Sequence, residues 1–261
     1  MAMTYSTLKL EIDAGIGTIT LTRPEKRNAI STQMIEDLIA ALEEAQSSEV
    51  RVVILTGEGK AFCSGMDLDE LRAIAKRSPA EHLEDSRRMA RLFRTLYSFP
   101  KPTIAAVNGA AIAGGCGLAT LADFTIAVPA AQFGYTEVRI GFVPALVSVF
   151  LRRQIGDKRT RDLALSGRLF PAAEAQTLGL VNEVVAPEEL IPAARKLAAT
   201  LMASSPTSLE STKRLLLQMT EADLDRDISY AIQENSEIRS TPDFTEGLSA
   251  FLEKRPPKWT R

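Results

Sequence analysis

Between Leu8 and Val128 the apolar residues switch repeatedly between two spacings, and this switching restricts the possible folds more than any other feature of the chain. Residues 8–12 (LKLEI) and 16–21 (IGTITL) alternate apolar and polar around the turn residues Asp13 and Gly15, which predicts a hairpin. Ile35, Leu38, Ile39 and Leu42 then fall at i, i+3, i+4 and i+7, one face of a helix that Ser31 can cap. A strand over 50–55, a charged amphipathic helix over 80–97, a strand over 103–107, a helix over 114–123 and a strand over 124–128 follow in turn. Pro100 and Pro102 separate the second helix from its strand. Strands joined by helical crossovers return parallel to one another, so the alternation predicts an α/β core with a mostly parallel sheet.

From Pro144 onward helices dominate. The expected helices cover 147–155, 160–165 (ended by Gly167) and 171–177 (closed by Gly179), and one more strand covers 180–185. Helices over 187–200, 206–219, 224–239 and 243–254 complete the chain, with no long linker, low-complexity run or internal repeat.

Composition narrows the chemistry. Lys and Arg total 31 against 33 Asp and Glu, a net charge of −2, so no basic field draws the chain to nucleic acid or to an anionic membrane. The single histidine, His82, lies in the charged run Glu81-His82-Leu83-Glu84-Asp85 and is expected to be exposed. One histidine cannot build a multi-histidine zinc site, and acid–base work falls to carboxylates. Cys63 and Cys116 suit a reducing cytosol better than a disulfide framework and read as small packing residues. The N-terminal stretch lacks the basic segment and apolar run of a secretory signal, and no apolar stretch is long enough to span a bilayer. A cytoplasmic protein is expected, without membrane or nucleic-acid partners.

Two strand ends run into glycine turns that open helices: Lys60-Ala61-Phe62-Cys63-Ser64-Gly65-Met66-Asp67-Leu68, and Asn108-Gly109-Ala110-Ala111-Ile112-Ala113-Gly114-Gly115-Cys116-Gly117. Unpaired N–H groups and the helix dipole make such places favourable for negative charge. Either turn alone is also what close strand–helix packing requires. Converging, the two would offer two N–H donors to one oxygen, an oxyanion hole. The second turn lacks the G-x-G-x-x-G spacing of a dinucleotide site, and Gly57-Glu58-Gly59-Lys60 lacks the spacing of a phosphate loop. Ser64 has no nucleophile-elbow context, and a hydrolase would need His82 as its base.

With these turns in view the order of motifs becomes diagnostic. Thr22-Arg23-Pro24-Glu25-Lys26-Arg27-Asn28-Ala29 precedes the first turn; Phe133-Gly134-Tyr135-Thr136-Glu137-Val138-Arg139-Ile140-Gly141 follows the second; Glu246-Gly247 and Ala250-Phe251-Leu252-Glu253-Lys254-Arg255-Pro256 close the chain. From about residue 8 onward the sequence closely resembles the enoyl-CoA hydratase/isomerase (crotonase) family. The resemblance implies a crotonase-like ββα spiral core with a helical C-terminal trimerisation region, divided as an acyl-CoA-binding core (1–200) and a helical region (201–261). It implies an acyl-CoA thioester as substrate, with coenzyme A part of that substrate, no separate cofactor or metal, and a homotrimer or hexamer as the assembly.

The same resemblance assigns roles. The backbone N–H groups of Met66 and Gly114 would hold the enolate oxygen, and Glu137 would be the acid–base residue. Lys26, Arg27, Ala29, Ser64, Met66 and Gly114 match positions along the coenzyme A path, and Phe251 and Lys254 match nucleotide contacts often made from a neighbouring subunit. Hydratases of the family commonly carry a second glutamate in the second glycine turn, where this chain has Gly117. Dienoyl isomerases and the aryl-CoA dehalogenase carry an aspartate eight residues beyond the Glu137 position, where this chain has Ala145. The expected activity is therefore hydration of a 2-enoyl-CoA by a single glutamate, in fatty acid metabolism. A Δ3,Δ2-enoyl-CoA isomerase, which needs only one base, is the alternative. A non-catalytic CoA- or RNA-binding member of the same fold is the alternative of another class. Arg87, Arg88, Arg91 and Arg94 read as a solvated or subunit-contact face, Arg139 as a surface or interface residue, and Asp67 as a helix cap.

Overall fold

A computed structural model describes residues 4–74 and 76–259; residues 1–3, 75, 260 and 261, including the first three of the N-terminal stretch, lie outside it. The predicted hairpin forms as β1 (Leu8–Asp13) and β2 (Ile16–Leu21), paired antiparallel. The chain then crosses over through α1 (Thr32–Ser47), whose N-terminus Ser31 caps by accepting from Met34 N–H at 3.2 Å. It returns as β3 (Val52–Gly57), parallel to β2. Crossovers through α3 (Pro79–Tyr97) and α4 (Gly114–Thr120) lead to β5 (Thr103–Val107) and β7 (Phe124–Ala127), and the last strand is β10 (Glu183–Val184). The order β1-β2-β3-β5-β7-β10 is parallel except for the hairpin. Strands covered on both faces lose their alternation, and β3 and β5 (VVILTG and TIAAV) are accordingly buried at almost every position.

A second sheet, of order β4-β6-β8-β9, is built from three-residue strands: β4 (Ala61–Cys63), β6 (Ala110–Ile112), β8 (Gln132–Gly134) and β9 (Leu169–Pro171). Three residues carry too little periodicity to read as strands, so this sheet is absent from the sequence expectation. It is what places the two glycine turns side by side, because β4 and β6 are parallel neighbours.

The structure differs from expectation in three further places. The segments expected at 147–155 and 160–165 form one element, α5 (Ala145–Ser166), interrupted by the non-helical, positive-φ backbone of Gly156 (φ 77°, ψ 171°). The strand expected over 180–185 shortens to β10, two residues. His82 is buried, not exposed: its Nε2 lies 3.0 Å from the Ile74 carbonyl at the end of α2 (Leu68–Ile74). The charges around it in sequence point elsewhere on α3, whose start is held by a Ser78–Glu81 capping box.

Beyond α6 (Ala172–Leu178) and α7 (Leu190–Met202) come α8 (Pro206–Gln218), α9 (Glu221–Glu237) and α10 (Pro242–Glu253). The C-terminal helices turn back onto the rest of the chain: α9 packs against α3 and α5, and α10 against the short 3-10 turn Glu137–Ile140. Gly247 permits that last approach, since a Cβ there would stand 2.4 Å from the Ile140 carbonyl. Among the described residues no helix is long and apolar enough to cross a membrane.

Candidate active site

The two glycine turns are pressed together. Gly65 adopts φ +89°, and a Cβ there would lie 3.1 Å from the Ile112 carbonyl oxygen. Gly115 leaves no room at all, its Cβ position being 2.2 Å from the Cys63 carbonyl oxygen. Ala113, between them, holds φ 50° and ψ −122°, a region that glycine normally occupies and that costs a residue with a side chain about 1–3 kcal/mol. Its N–H donates to the Gly134 carbonyl at 2.7 Å, which ties the strained residue to β8.

These turns free two backbone donors. Ile30 forms a parallel bridge with Met66, its N–H donating to the Gly65 carbonyl at 2.7 Å while Asp67 N–H donates to the Ile30 carbonyl at 2.8 Å. In that pattern the N–H of Met66 itself turns away from the bridge. Gly114 is the first residue of α4, so its N–H has no acceptor within the helix. Both residues line one cavity of about 240 Å³. Asp67 holds the first turn in place: Oδ1 accepts from Asp69 N–H at 2.8 Å at the start of α2, and Oδ2 pairs with Arg23 at 2.7 Å.

Glu137 lines the same cavity. It opens the 3-10 turn that follows β8, and it is 8% exposed. Its Oε2 has no hydrogen-bond partner among the described residues, and its own backbone N–H only partly compensates the carboxylate. Loss of hydration dominates, and the pKa rises from the ordinary value to about 7. A carboxyl group poised there can take or give a proton near neutral pH.

Gly117 is buried behind the lining of this cavity. A Cβ at 117 would stand 2.8 Å from Val147 Cγ1 and 3.0 Å from Phe93 Cζ, side chains that themselves line the cavity. The place of a second carboxylate is therefore walled off by packed hydrocarbon. Gly117→Glu is expected to lower stability by about 2 kcal/mol or more through overpacking and a buried charge, and to add no activity. In a Val147→Ala background the loss should shrink; paired denaturation curves check this, and an equal loss in both backgrounds would contradict the packing account.

The structure distributes the other expected residues as follows. Ser64 and Phe251 line the cavity. Lys26, Arg27, Ala29 and Lys254 do not; Lys26, Arg27 and Lys254 are exposed and Ala29 is buried. Lys26 pairs with Asp69 at 2.8 Å, and the carbonyl of Arg27 accepts from Ser64 N–H at 3.1 Å, which sets this loop beside the first turn. Buried Asn28 pins the loop, accepting from Arg23 N–H at 2.9 Å and donating to the carbonyls of Glu58 and Ala61 at 3.0 and 2.9 Å. Arg139 is exposed and outside the cavity lining. Burial pushes both Cys63 and Cys116 up to about 12, so neither thiol is an available nucleophile.

Glu70, Arg77, Asp85, Asn235 and Arg239 line the cavity without any signal in the sequence, and Arg88, expected on a solvated or subunit-contact face, joins them there instead. Arg77 pairs with Glu70 at 2.8 Å and with Asp85 at 2.5 Å. Arg239, whose side chain is 2% exposed, stacks on the Phe142 ring at 5.5 Å and has its pKa lowered to about 10 by burial. These charges meet only because α9 folds back onto α3, bringing residues about 150 positions apart into contact.

Comparison with known proteins agrees with this geometry. Residues 11–261 match the family described as enoyl-CoA hydratase/isomerase. The chain belongs to the enoyl-CoA hydratase/isomerase (crotonase) family. A Thermus thermophilus protein bearing a provisional enoyl-CoA hydratase name is 43% identical over 96% of this chain and 100% of its own. A probable enoyl-CoA hydratase of Mycobacterium bovis is 36% identical over 99% of each. The crystal structure of an enoyl-CoA hydratase/isomerase from Xanthobacter autotrophicus Py2 superposes with a TM-score of 0.89 at 31% identity, covering 96% of this chain and 94% of that one. The chain is thus a crotonase-fold member of an enzyme family whose substrates are acyl-CoA thioesters.

Proposed function

We propose that this protein hydrates 2-enoyl-CoA thioesters with Glu137 as its one acid–base group. The carrying observation is a buried carboxylate whose Oε2 has no hydrogen-bond partner among the described residues, in the cavity that Met66 and Gly114 also line. In the forward direction the Glu137 carboxylate takes a proton from a water whose oxygen bonds to C3. The C2–C3 π electrons move toward the thioester, and the enolate oxygen is held by the two N–H groups. The carboxyl group then returns its proton to C2, so one water is added and Glu137 ends as it began. The carboxylates of Glu70 and Asp85 are engaged with arginines, which supports a one-glutamate path.

The packed wall at Gly117 favours one further reading, Δ3,Δ2-enoyl-CoA isomerisation, in which the same carboxylate moves a proton between C4 and C2. Incubating the purified protein with a 2-enoyl-CoA and a 3-enoyl-CoA separates the two. Hydration is expected to be the faster reaction; isomerisation without hydration would replace the first reading by the second. Coenzyme A is proposed to lie along the loop of Lys26, Arg27 and Ala29 with Ser64, and with Phe251 and Lys254 near its nucleotide. A homotrimer or hexamer in the cytoplasm completes the proposal. Exposed Leu215, Leu216 and Met219 around the end of α8 support the assembly, and two buried free thiols support the compartment.

A further inference from the structure

The charges lining the cavity include one guanidinium that is short of acceptors. Arg77 has Glu70 and Asp85, and Arg88 has Glu36 at 3.2 Å and Asp85 at 3.3 Å. Arg239 has only the reach of that same Asp85, at 3.5 Å, and the amide oxygen of Asn235 at 2.9 Å. Its buried Nε has no partner among the described residues. An arginine carries five N–H donors in a rigid fork, and with so little solvent contact water cannot satisfy them in bulk. The guanidinium carbon lies over the Phe142 ring, 5.5 Å from its centroid, which holds the group in place. A buried charge left this incompletely paired is costly, and a carboxylate is the group whose geometry matches the fork.

We propose that Arg239 receives a carboxylate at the far end of the acyl chain, which makes the protein selective for enoyl-CoA thioesters of dicarboxylic acids. The inference rests on the acyl-CoA reading of the cavity. It gives the C-terminal region a part in choosing the substrate, since Arg239 and Asn235 both come from beyond residue 200. Asp85 does not oppose it, being held by Arg77 and Arg88.

The test uses pairs of 2-enoyl-CoA thioesters matched in length, from five to eight carbons, one ending in a methyl group and the other in a carboxylate. The wild-type kcat/KM is expected to favour the carboxylate-ended member on the order of tenfold or more at the best length, as one charge-assisted bond would give. A smaller ratio at every length overturns the proposal. Arg239→Met is expected to reduce that ratio about tenfold or more; an unchanged ratio also overturns it. A ratio of two rates on one preparation is insensitive to the fraction folded, and if the variant fails to fold the wild-type ratio decides alone. Should the wild type hydrate neither thioester, the hydratase reading fails separately. Calorimetric binding of the saturated thioester pairs then decides: tighter binding of the carboxylate-ended member upholds the role of Arg239, and equal or weaker binding ends it.

Discussion

Glu137→Gln is expected to abolish most of the hydration rate while leaving a protein more stable than the parent at alkaline pH. On the activity side the amide can neither take the proton from water nor return it to C2, and loss of a positioned acid–base group costs about 10²–10⁴-fold. The stability side follows from burial. Glu137 has its pKa raised to about 7, so between its ordinary value and 7 the folded protein binds more protons than the unfolded chain. Stability then falls as pH rises through that window and stays low above it. A shift of this size corresponds to about 3 kcal/mol, and glutamine, which does not titrate, escapes it. Urea denaturation of both proteins at pH 5 and pH 8 isolates the charge. The advantage of the variant should grow by about 2.5 kcal/mol between the two, since pH 5 already lies inside the window, and an advantage that does not change with pH would mean that Glu137 is hydrated. The matching kinetic signature is a rise of kcat/KM with pH through about 7, with the same limb for dehydration, because one carboxylate starts both directions.

Gly115→Ala should be among the most costly single methyl groups that can be added to the two glycine turns. The new Cβ would fall 2.2 Å from the Cys63 carbonyl oxygen, with the Cys63 carbonyl carbon 2.8 Å away, and both contacts are backbone. No side chain can rotate aside, so β4 and the start of α4 must separate. Overpacking of this kind destabilises by about 1–3 kcal/mol, and a rigid backbone contact belongs at the upper end. The separation also moves the Gly114 N–H relative to that of Met66, and loss of one oxyanion donor costs about 10²–10³ in kcat. Thermal denaturation and kcat together test this. A variant of unchanged stability and kcat would show that the two turns can part without consequence, and the two-donor account of the site would fall.

The candidate centre was legible in the sequence because its parts are features of local backbone. Glycine turns after strands, a helix opening at Gly114 and a glutamate after Phe133-Gly134 are short-range features, and the resemblance they carried named Met66, Gly114 and Glu137, which all line one cavity. The replacement of a second glutamate by Gly117 was equally visible, but not the reason a carboxylate has no room there. That reason is Phe93 and Val147, which arrive from other helices. His82 was misplaced for a related cause: its charged neighbours in sequence are not its neighbours in space, since a helix turns them to different faces.

By itself the sequence determined the parallel α/β core, the family and the two glycine turns, and it singled out Glu137 as a candidate. In each case the information sits within a turn or two of helix or within one strand, where periodicity, capping and glycine geometry act. Only the tertiary structure decided how buried that carboxylate is, and therefore where it titrates, because desolvation is set by everything packed around a group. It also decided which charges line the cavity. Arg239 and Asp85 lie 154 positions apart, and no pattern along the chain could pair them; the packing of α9 on α3 does.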